Sequence, residues 1–419
     1  MNQRQLRVFQ LSADGFLLRQ VSHIKLGGLF VIFRKATNLL QLILAALPLL
    51  LVRALRPVIL IRFDHLPTQS IGSLAFYPEA YLCQRDEDAG APRTLDIFYH
   101  VEPVSNHQLK RMWNRKLHVS PLAGPIDRLN RRLPGGGAHL VCSRRSGGRD
   151  MNGLLFRNPP HLALTQQEER FGQDGLRDLG IPQGAPFVCF FARDSAYEDV
   201  KSQGQQTYHH RYRDSSIHRY LEAAEKLVER GYFAVRMGHI VNETLQTVHP
   251  GIIDYATDGR TDFMDIYLSA KCRMFLTGGA GIEQVSEIFR RPIAYVNWPN
   301  LNLITAGGRN NLFIPKTLRL IREDRILGFK ELIDSGISGF TSSAQFDDQG
   351  IELVENIPNE IASLVVEMDE RLKGTWATTR EDEELQARFW SLFRPDQLHE
   401  DSRPRIGAEF LRQHQALLN

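Results

Sequence analysis

The chain has 419 residues, of which 42% are hydrophobic and 24% charged, and its formal net charge at pH 7 is +3. This length predicts two domains of ordinary size, with enough apolar content for packed cores and no solenoid repeat or low-complexity tract. The charge is uneven, because residues 1–57 carry a net of +7 and leave −4 for the remainder. An acidic body excludes nucleic-acid binding as a leading interpretation.

The four cysteines predict a cytosolic protein with reduced thiols. They are widely separated in the sequence, form no C-x-x-C pair and show no spacing typical of a metal site: Cys83, Cys142, Cys189 and Cys272. Two of them fall inside predicted strands, where a thiol packs as a small apolar group.

Residues 1–57 are predicted to form a membrane-associating segment. The apolar run Leu39–Val52 is flanked by Arg34 and Lys35 on one side and by Arg53 on the other. Crossing a bilayer takes about 20 apolar residues, which this run does not reach, and it begins too far from the first residue for a secretory signal. A basic, apolar helix is typical of proteins that lie on the anionic cytoplasmic face of a membrane. The alternative is a helix that packs on the folded body.

A first α/β unit is predicted over residues 58–163. Strands are expected at Val58–Phe63, Leu95–Tyr99 and Ala138–Cys142. The run Asp86–Asp88 has the letters of a metal-binding Asp-x-Asp, but its charged neighbours favour a solvated charge run. No metal site is therefore predicted.

Residues 164–340 show the clearer pattern, and helices follow within residues 341–419. Thr165 and Glu168 predict a capping box at the start of a helix that ends near Gly180. Strands and helices then alternate as follows: a strand from Phe187, helix Ser216–Arg230, strands Tyr232–Met237 and Gly251–Tyr255, helix Asp262–Lys271, strand Arg273–Thr277, helix Gly281–Arg290 and strand Ile293–Asn297. This alternation predicts a parallel, doubly wound sheet.

The strand from Phe187 is a buried apolar run that stops at Arg193 and Asp194. In open α/β sheets, ligands bind outside the carboxyl ends of the strands, so Arg193 is placed to hold a phosphate through its bidentate guanidinium. The alternative is an Arg–Asp pair that only fixes a loop.

A glycine-rich turn follows the strand that ends at Thr277. Gly278, Gly279, Ala280 and Gly281 precede Glu283 at the predicted start of a helix. Glycines allow close approach of the backbone, and a helix start offers N–H groups to a diphosphate. The run matches neither the G-x-G-x-x-G fingerprint nor a P-loop, and the alternative is a tight turn that needs small residues for packing.

Five short motifs in a fixed order resemble a group of bacterial glycosyltransferases that act on surface polysaccharides. They are Arg193-Asp194-Ser195-Ala196-Tyr197, Tyr212-Arg213-Asp214-Ser215 before a helix, Arg236-Met237-Gly238, Gly278 to Gly281, and Gly374-Thr375-Trp376. The resemblance covers most of the chain from about Val58 onward. It implies an α/β fold with two Rossmann-like domains that face a cleft (GT-B-like), preceded by the apolar and basic helical segment and followed by C-terminal helices.

The resemblance also implies how the two domains divide the work. The domain at 164–340 would bind the nucleotide sugar, and the domain at 58–163 would bind the acceptor. Arg236, Gly238 and Glu283 would join Arg193 and the glycine-rich turn in holding the donor. The run Phe191–Asp194 is more distantly similar to the H-x-R signature of GDP-fucose transferases, with Phe191 in place of the histidine.

The implied activity is transfer of a hexosyl or related group from a nucleotide sugar to a lipid-linked or surface-polysaccharide acceptor at the cytoplasmic membrane face. No metal or other cofactor is expected, because positive groups and a helix dipole stabilise the leaving diphosphate. An inverting reaction needs a general base, and Asp64 and His65 are the leading candidates, with Glu79 and Asp194 in reserve. Asp64 and His65 could equally cap the segment Thr68–Leu74.

Two other functions stay open. A nucleotide-sugar epimerase or hydrolase on the same fold would act on a soluble substrate and would have no use for the basic segment at 1–57. A non-catalytic scaffold would keep the fold without binding a nucleotide.

Overall fold

The computed structural model describes residues 37, 40–88, 93–141, 150, 153–196, 200, 208–303, 310–393 and 404–419. Most of the predicted segment at 1–57, together with Cys142 and Tyr197, lies outside the described residues. Contacts within the chain divide it into two compact units. The smaller unit draws on residues 1–65, 90–100 and 117–142, and the larger unit on residues 66–89, 101–116 and 143–419.

The helices and strands of both units are numbered here in chain order. The α-helices are α1 (residues 40–54), α2 (Ile71–Glu87), α3 (His107–Asn114), α4 (Ala123–Asn130), α5 (Leu154–Arg157), α6 (Gln166–Asp178), α7 (Leu221–Glu229), α8 (Asp262–Lys271), α9 (Glu283–Ile288), α10 (Phe329–Asp334), α11 (Ser343–Asp348), α12 (Pro358–Lys373), α13 (Arg380–Ser391) and α14 (Ala408–Gln413). The strands are β1 (Leu60–Leu66), β2 (Thr94–His100), β3 (Phe187–Phe191), β4 (Phe233–Arg236), β5 (Ile252–Ile253), β6 (Phe275–Thr277), β7 (Ile293–Trp298), β8 (Leu312–Pro315), β9 (Thr317–Leu320), β10 (Arg325–Ile326), β11 (Ile351–Val354) and β12 (Arg405–Ile406). Short 3₁₀ helices occupy Gly136–His139, Tyr208–Arg213, Ile217–Tyr220, Leu301–Leu303, Ile321–Glu323, Ile337–Gly339 and Gln415–Leu418.

The smaller unit is built on the two-stranded sheet β1–β2. Its core centres on Ile61, Phe63 and Ala123. The prediction of a third strand at Ala138–Cys142 was wrong over the residues that the structure describes, because the chain there forms the 3₁₀ turn Gly136–His139. Among the described residues of this segment, Leu140 alone pairs with the sheet, through an isolated parallel bridge to Phe63. The segment therefore does not add a third strand.

The larger unit contains a seven-stranded sheet in the order β12-β8-β7-β6-β3-β4-β5. Every neighbouring pair is parallel, which confirms the predicted α/β class with a parallel, doubly wound sheet. The strand β3 is central and buried on both faces, as expected of an apolar run between two layers of helices. A separate antiparallel sheet, β10-β9-β11, lies in the same unit and was not predicted.

Local signals place several helices as expected. Thr165 and Glu168 form the predicted capping box at the start of α6. Helix α8 has the predicted bounds, and the Thr261 side chain accepts a hydrogen bond from the Met264 N–H at its start. Helix α7 ends before Gly231, whose φ of 92° lies in the left-handed region that glycine adopts without strain.

Helices α2 and α3 belong to the larger unit, although in the sequence they lie between the segments that form the smaller unit. The Trp113 indole N–H donates to the carbonyl of Leu74 at 2.8 Å, and the Asn106 amide donates to the carbonyl of Asp262 at 2.9 Å. The domain boundaries given above at 57/58 and 163/164 stay predictions.

Two further features are the cysteines and the apolarity of the helices. Cys83, Cys189 and Cys272 are buried free thiols, as predicted for these three. Among the described helices, none combines the length and the apolarity needed to cross a bilayer.

Candidate functional site

A pocket in the larger unit opens where the strand order of the main sheet reverses. From β3 the chain moves outward through β4 and β5 on one side, then returns to β6 and moves outward through β7 and β8 on the other. The crevice beyond the carboxyl ends of β3 and β6 is therefore the topological switch point, where open α/β sheets bind their ligands. The pocket is lined by Ser70, Ile71, Ser105, Phe191, Arg193, Asp194, Gly238, His239, Ile240, Arg260, Asp265, Ala280 and Ile282.

Arg193 lies in this pocket, two residues beyond β3, and only 7% of it is exposed. Its Nη1 donates to the carbonyl of His210 at 3.1 Å and pairs with the carboxylate of Asp214. The partner is therefore Asp214 and not the adjacent Asp194. Burial raises the pKa of Asp214 to about 6, against the opposing effect of the positive charges of Arg193 and Lys316.

Asp194 also lines the pocket, and both of its oxygens accept backbone N–H groups. Oδ1 accepts from Ala196 at 3.1 Å, and Oδ2 accepts from Asn242 at 2.9 Å. The carboxylate thus joins the loop after β3 to the loop after β4. Gly238, in that second loop, packs closely, since a Cβ there would lie 2.7 Å from a methyl carbon of Val241.

The glycine-rich turn between β6 and α9 is tightly packed. Gly279 has a φ of 83°, and a Cβ on it would lie 2.8 Å from the indole ring of Trp298. Gly281 has a φ of 116°, and a Cβ added to Gly72, at the start of α2, would lie 2.9 Å from its Cα. Arg213 donates to the carbonyl of Gly279 at 2.5 Å. Packing explains these two glycines, and Ala280 is the residue of the turn that lines the pocket.

Glu283 is buried beneath this turn and binds its amides. Its carboxylate accepts the N–H of Ala280 at 3.0 Å and the N–H of Gly281 at 2.7 Å. These two amides were predicted to hold a diphosphate together with Gly278. In the structure an internal carboxylate occupies them, so a phosphate at this point would have to displace Glu283.

The pocket has a second arginine that sequence reasoning missed. Arg260 precedes α8, and its Nη2 donates to the carboxylate of Asp265 at 2.6 Å. Its Nε is buried and has no hydrogen-bond partner among the described residues. Burial raises the pKa of Asp265 to about 6. Arg260 directly precedes the capping residue Thr261, and no local sequence pattern marked it as a pocket residue.

His239 also lines the pocket and was missed. It follows Gly238 in the loop after β4. Burial lowers its pKa below the ordinary value of 6.5, and the positive charge of Arg260 lowers it further. The imidazole is therefore neutral near pH 7 and can either donate or accept a hydrogen bond.

Arg236 is placed differently from Arg193. It is 2% exposed, and its Nη1 pairs with a carboxylate oxygen of Asp254 at 3.1 Å. It does not appear among the residues that line the described pocket. Its predicted role in holding the donor stays a prediction.

Asp64 and His65, the leading candidates for the general base, lie at the end of β1. Asp64 is buried, and its Oδ1 accepts the backbone N–H of His65 at 2.8 Å. The His65 ring nitrogen Nδ1 lies 3.2 Å from the same oxygen, and Nη2 of Arg131 lies 3.9 Å from it. These contacts hold a carboxylate, an imidazole and a guanidinium together within the smaller unit.

Glu79, a reserve candidate for the base, lies outside this pocket. It is fully buried in α2, and its carboxylate accepts a hydrogen bond from Nη2 of Arg290 at 2.7 Å. Cys83 and His161 lie beside it. The two reserve candidates therefore lie in different places: Asp194 lines the pocket, and Glu79 does not.

Comparison with known proteins adds little beyond the fold. No protein-family model and no curated protein matches the chain. Three solved structures are similar over part of it: ADP-heptose LPS heptosyltransferase II of E. coli (13% identity, 56% of this chain and 84% of that chain, TM-score 0.34), a glycosyl transferase family 9 protein of Veillonella parvula (10% identity, 56% and 80%, TM-score 0.35) and E. coli heptosyltransferase WaaC with ADP (13% identity, 61% and 91%, TM-score 0.31). Because each TM-score is below 0.5, we base function on the residues of this chain.

Proposed function

We propose that this protein is a glycosyltransferase that binds a nucleotide-sugar donor in the switch-point pocket of its larger unit. The observation that carries the proposal is the presence of Arg193 and Arg260 in that one pocket. A nucleotide sugar presents adjacent phosphates, and guanidinium groups bind phosphate oxygens through charge-assisted, directional hydrogen bonds.

The chemistry of the pocket suits departure of a nucleotide. Glycosyl transfer develops negative charge on the leaving phosphate, and cations already held in position stabilise this charge without reorganisation. Arg193 is fixed by Asp214, and Arg260 is fixed by Asp265. Both guanidiniums are thus oriented by the protein before a donor arrives. We propose a metal-independent reaction on this basis.

The acceptor side is assigned to the smaller unit, with Asp64 as the general base. A carboxylate can take the proton of an acceptor hydroxyl as the glycosidic bond forms. His65 and Arg131 contact Asp64 and would orient it. Asp194 is less suited to this role, because backbone N–H groups already bond to both of its oxygens.

We further propose that the acceptor is lipid-linked and that the protein binds the cytoplasmic face of a membrane through α1. Apart from Gln41 and Arg53, this helix consists of apolar residues, and a helix that is apolar all round is normally buried throughout. Leu49 is 1% exposed and Val52 packs against the core of the smaller unit, whereas Leu47 is 67% exposed. The outward side consists of Leu40, Ile43, Leu44, Leu47, Leu50 and Leu51.

The charge around α1 favours an anionic bilayer as the partner of this surface. Residues 1–57 carry a net charge of +7. Nη2 of Arg128, in α4, donates to the side chain of Gln41 at 3.0 Å, which brings a further cation beside the helix. Basic residues near an anionic surface contribute about 1 kcal/mol each to membrane binding.

The test is a binding panel with the full-length protein and UDP-, GDP-, ADP-, CMP- and dTDP-sugars, measured by thermal shift and calorimetry. The expected result is one nucleotide class that raises the melting temperature, with binding lost in Arg260→Gln and kept in Arg319→Gln. Arg319 is the matched control, because it forms exposed ion pairs with Asp324 and Glu352. Failure of every nucleotide sugar to bind would overturn the proposal in favour of a scaffold.

Product analysis separates the transferase from an enzyme that acts on the donor alone. Incubation of the bound donor without acceptor should leave it intact. Hydrolysis or epimerisation of the sugar under those conditions would support the alternative of an epimerase or hydrolase on the same fold.

A further inference from the structure

Three side chains of different chemistry converge in the larger unit, outside the switch-point pocket. Glu79 and Cys83 lie four residues apart in α2 and therefore on the same side of the helix. His161 reaches them from the loop before α6. Sγ of Cys83 lies 3.9 Å from Oε1 of Glu79 and 4.0 Å from Nδ1 of His161, and Nδ1 lies 3.2 Å from Oε1.

These spacings are those of ligands around one ion. Bonds of about 2.0 to 2.3 Å from a tetrahedral zinc ion to oxygen, nitrogen and sulfur place neighbouring ligand atoms about 3.3 to 3.8 Å apart. The three distances in the cluster lie within a few tenths of an ångström of that range. A small closure of the cluster would therefore bring all three atoms to bonding distance of a shared ion.

The second nitrogen of His161 strengthens this interpretation. Its Nε2 lies 3.0 Å from a carboxylate oxygen of Asp86. Metal-binding histidines usually donate the N–H of one ring nitrogen to a carboxylate or carbonyl, which directs the other nitrogen to the ion. Here the carboxylate of Asp86 directs Nδ1 toward Glu79 and Cys83.

Arg290 is the feature that could oppose a cation. Its Nη2 donates to Oε1 of Glu79 at 2.7 Å and lies 3.6 Å from Sγ of Cys83. The guanidinium of Arg290 offsets the negative charge of Glu79 when no ion is bound. A divalent ion would displace the proton of the Cys83 thiol, and the resulting thiolate would offset part of the positive charge that the ion adds beside Arg290.

We propose that Glu79, Cys83 and His161 bind one divalent transition-metal ion of the zinc class. A thiolate and an imidazole favour zinc and its neighbours and disfavour magnesium and calcium, which prefer oxygen ligands. Asp86 is a positioning residue for His161, and Arg290 stays bonded to the carboxylate, which has room for several donors. This proposal does not depend on the proposed function.

The site would fix one wall of the switch-point pocket. Helix α2 begins at Ile71, which lines that pocket, and carries Glu79 and Cys83 farther along. Helix α9 follows Ile282, another lining residue, and ends before Arg290. The ion would thus tie α2, the helix that begins at the pocket, to the loop of His161, in a structural role.

The test uses the full-length protein after treatment with a chelator, and Co²⁺ as a spectroscopic probe. One Co²⁺ per chain should bind, with a thiolate-to-cobalt absorption band, the visible bands of tetrahedral cobalt and the release of protons at neutral pH. Cys83→Ser should lose the thiolate band. Cys272→Ser is the matched control, since Cys272 is also buried but lies outside the cluster, and it should keep the band.

Asp86→Asn provides a second measurement that does not disturb the core, because the Asp86 side chain is 55% exposed. It should weaken Co²⁺ binding about 10- to 100-fold, as expected when the partner of a ligand histidine is altered. Absence of stoichiometric cobalt, a thiolate band that persists in Cys83→Ser, or an unchanged affinity in Asp86→Asn would each overturn the proposal. Binding of nucleotide sugars is measured separately, so failure of the metal site would leave the proposed function standing.

Discussion

The guanidinium of Arg193 and the carboxylate of Asp214 form an ion pair near the carboxyl ends of the strands of the seven-stranded sheet. Of the two residues, Arg193 lines the switch-point pocket. The backbone carbonyl of Asp214 also accepts a hydrogen bond from Nζ of Lys316 at 2.6 Å. Burial lowers the pKa of Lys316 to about 8. Two cations and one carboxylate thus share a poorly hydrated region, which fixes the orientation of Arg193 in advance of any ligand.

Arg193→Ala should weaken binding of the nucleotide-sugar donor by about 2 to 4 kcal/mol, because it removes a charge-assisted contact in a partly closed pocket. Titration calorimetry with the donor identified in the panel measures this change. Arg193→Lys should recover part of the loss, since lysine keeps the charge but not the fork of donors. A folded Arg193→Ala protein that binds the donor with unchanged affinity would show that Arg193 only fixes the loop.

Asp265 should make stability depend on pH. Burial raises its pKa to about 6 in the folded protein, above the ordinary value of 3.8. The folded state therefore binds this proton more tightly than the unfolded state, and the resulting stabilisation is present below about pH 4 and lost as the pH rises through 6. Asp265→Asn should reduce the fall in the free energy of unfolding between pH 4 and 7 by about 2 kcal/mol. Urea titrations at these two pH values measure it, and equal falls in both proteins would contradict the assignment.

The sequence predicted the sheet better than the pocket. Apolar runs such as Phe187–Phe191 carry their own strand signal, and the alternation with helices limits the sheet to a parallel, doubly wound form. The strands β8 and β12 were missed because they have only four and two residues, which is too short for a clear strand pattern. At Ala138–Cys142 the apolar residues suggested a strand, but Gly135, with a φ of 78°, starts a 3₁₀ turn instead.

The pocket shows why site residues were only partly predicted. Arg193 and Asp194 were found because they end a clear strand. Arg260 and His239 come from loops whose arrival at the switch point depends on tertiary packing, and no local pattern reports it. The partner of Glu79 was equally hidden, since Arg290 lies 211 positions away in the chain. Sequence patterns indicate at which edge of a sheet a ligand binds. Which side chains line the pocket at that edge depends on contacts between residues that are far apart in the chain.

Asp64→Asn should lower kcat by about 10²- to 10⁴-fold, because the amide cannot accept the proton of the acceptor hydroxyl. The affinity for the donor should stay unchanged. Asp96→Asn is the matched control, since Asp96 is also a buried carboxylate of the smaller unit but is held by Arg62 in a bidentate pair with both bonds at 2.7 Å. It should reduce stability without a comparable loss of kcat. A kcat within tenfold of the native value in Asp64→Asn would rule out Asp64 as the base.

Gly279→Ala should destabilise the protein by more than Gly180→Ala. The two glycines have nearly equal φ values, 83° and 81°, so the backbone strain of an L-residue, about 1 to 2 kcal/mol, is common to both. A Cβ on Gly180 would meet no atom within 4 Å, whereas one on Gly279 would press on Trp298. Chemical denaturation should show an extra cost of about 1 to 3 kcal/mol for Gly279→Ala. Equal costs would mean that the indole moves aside freely.

Leu47→Glu should weaken binding of the protein to anionic vesicles about tenfold or more, because it replaces an exposed apolar side chain of α1 with a charge that the bilayer surface repels. Co-sedimentation with vesicles at low and high salt measures the change. Binding of the native protein should also weaken in 1 M salt, where the screening length falls to about 3 Å. Val248→Glu is the control, since Val248 is a fully exposed apolar residue of the larger unit. If Leu47→Glu and Val248→Glu sediment with vesicles to the same extent, the exposed side of α1 does not bind the membrane. If the native protein is an oligomer and Leu47→Glu alone is a monomer, that side binds a second copy of the chain instead.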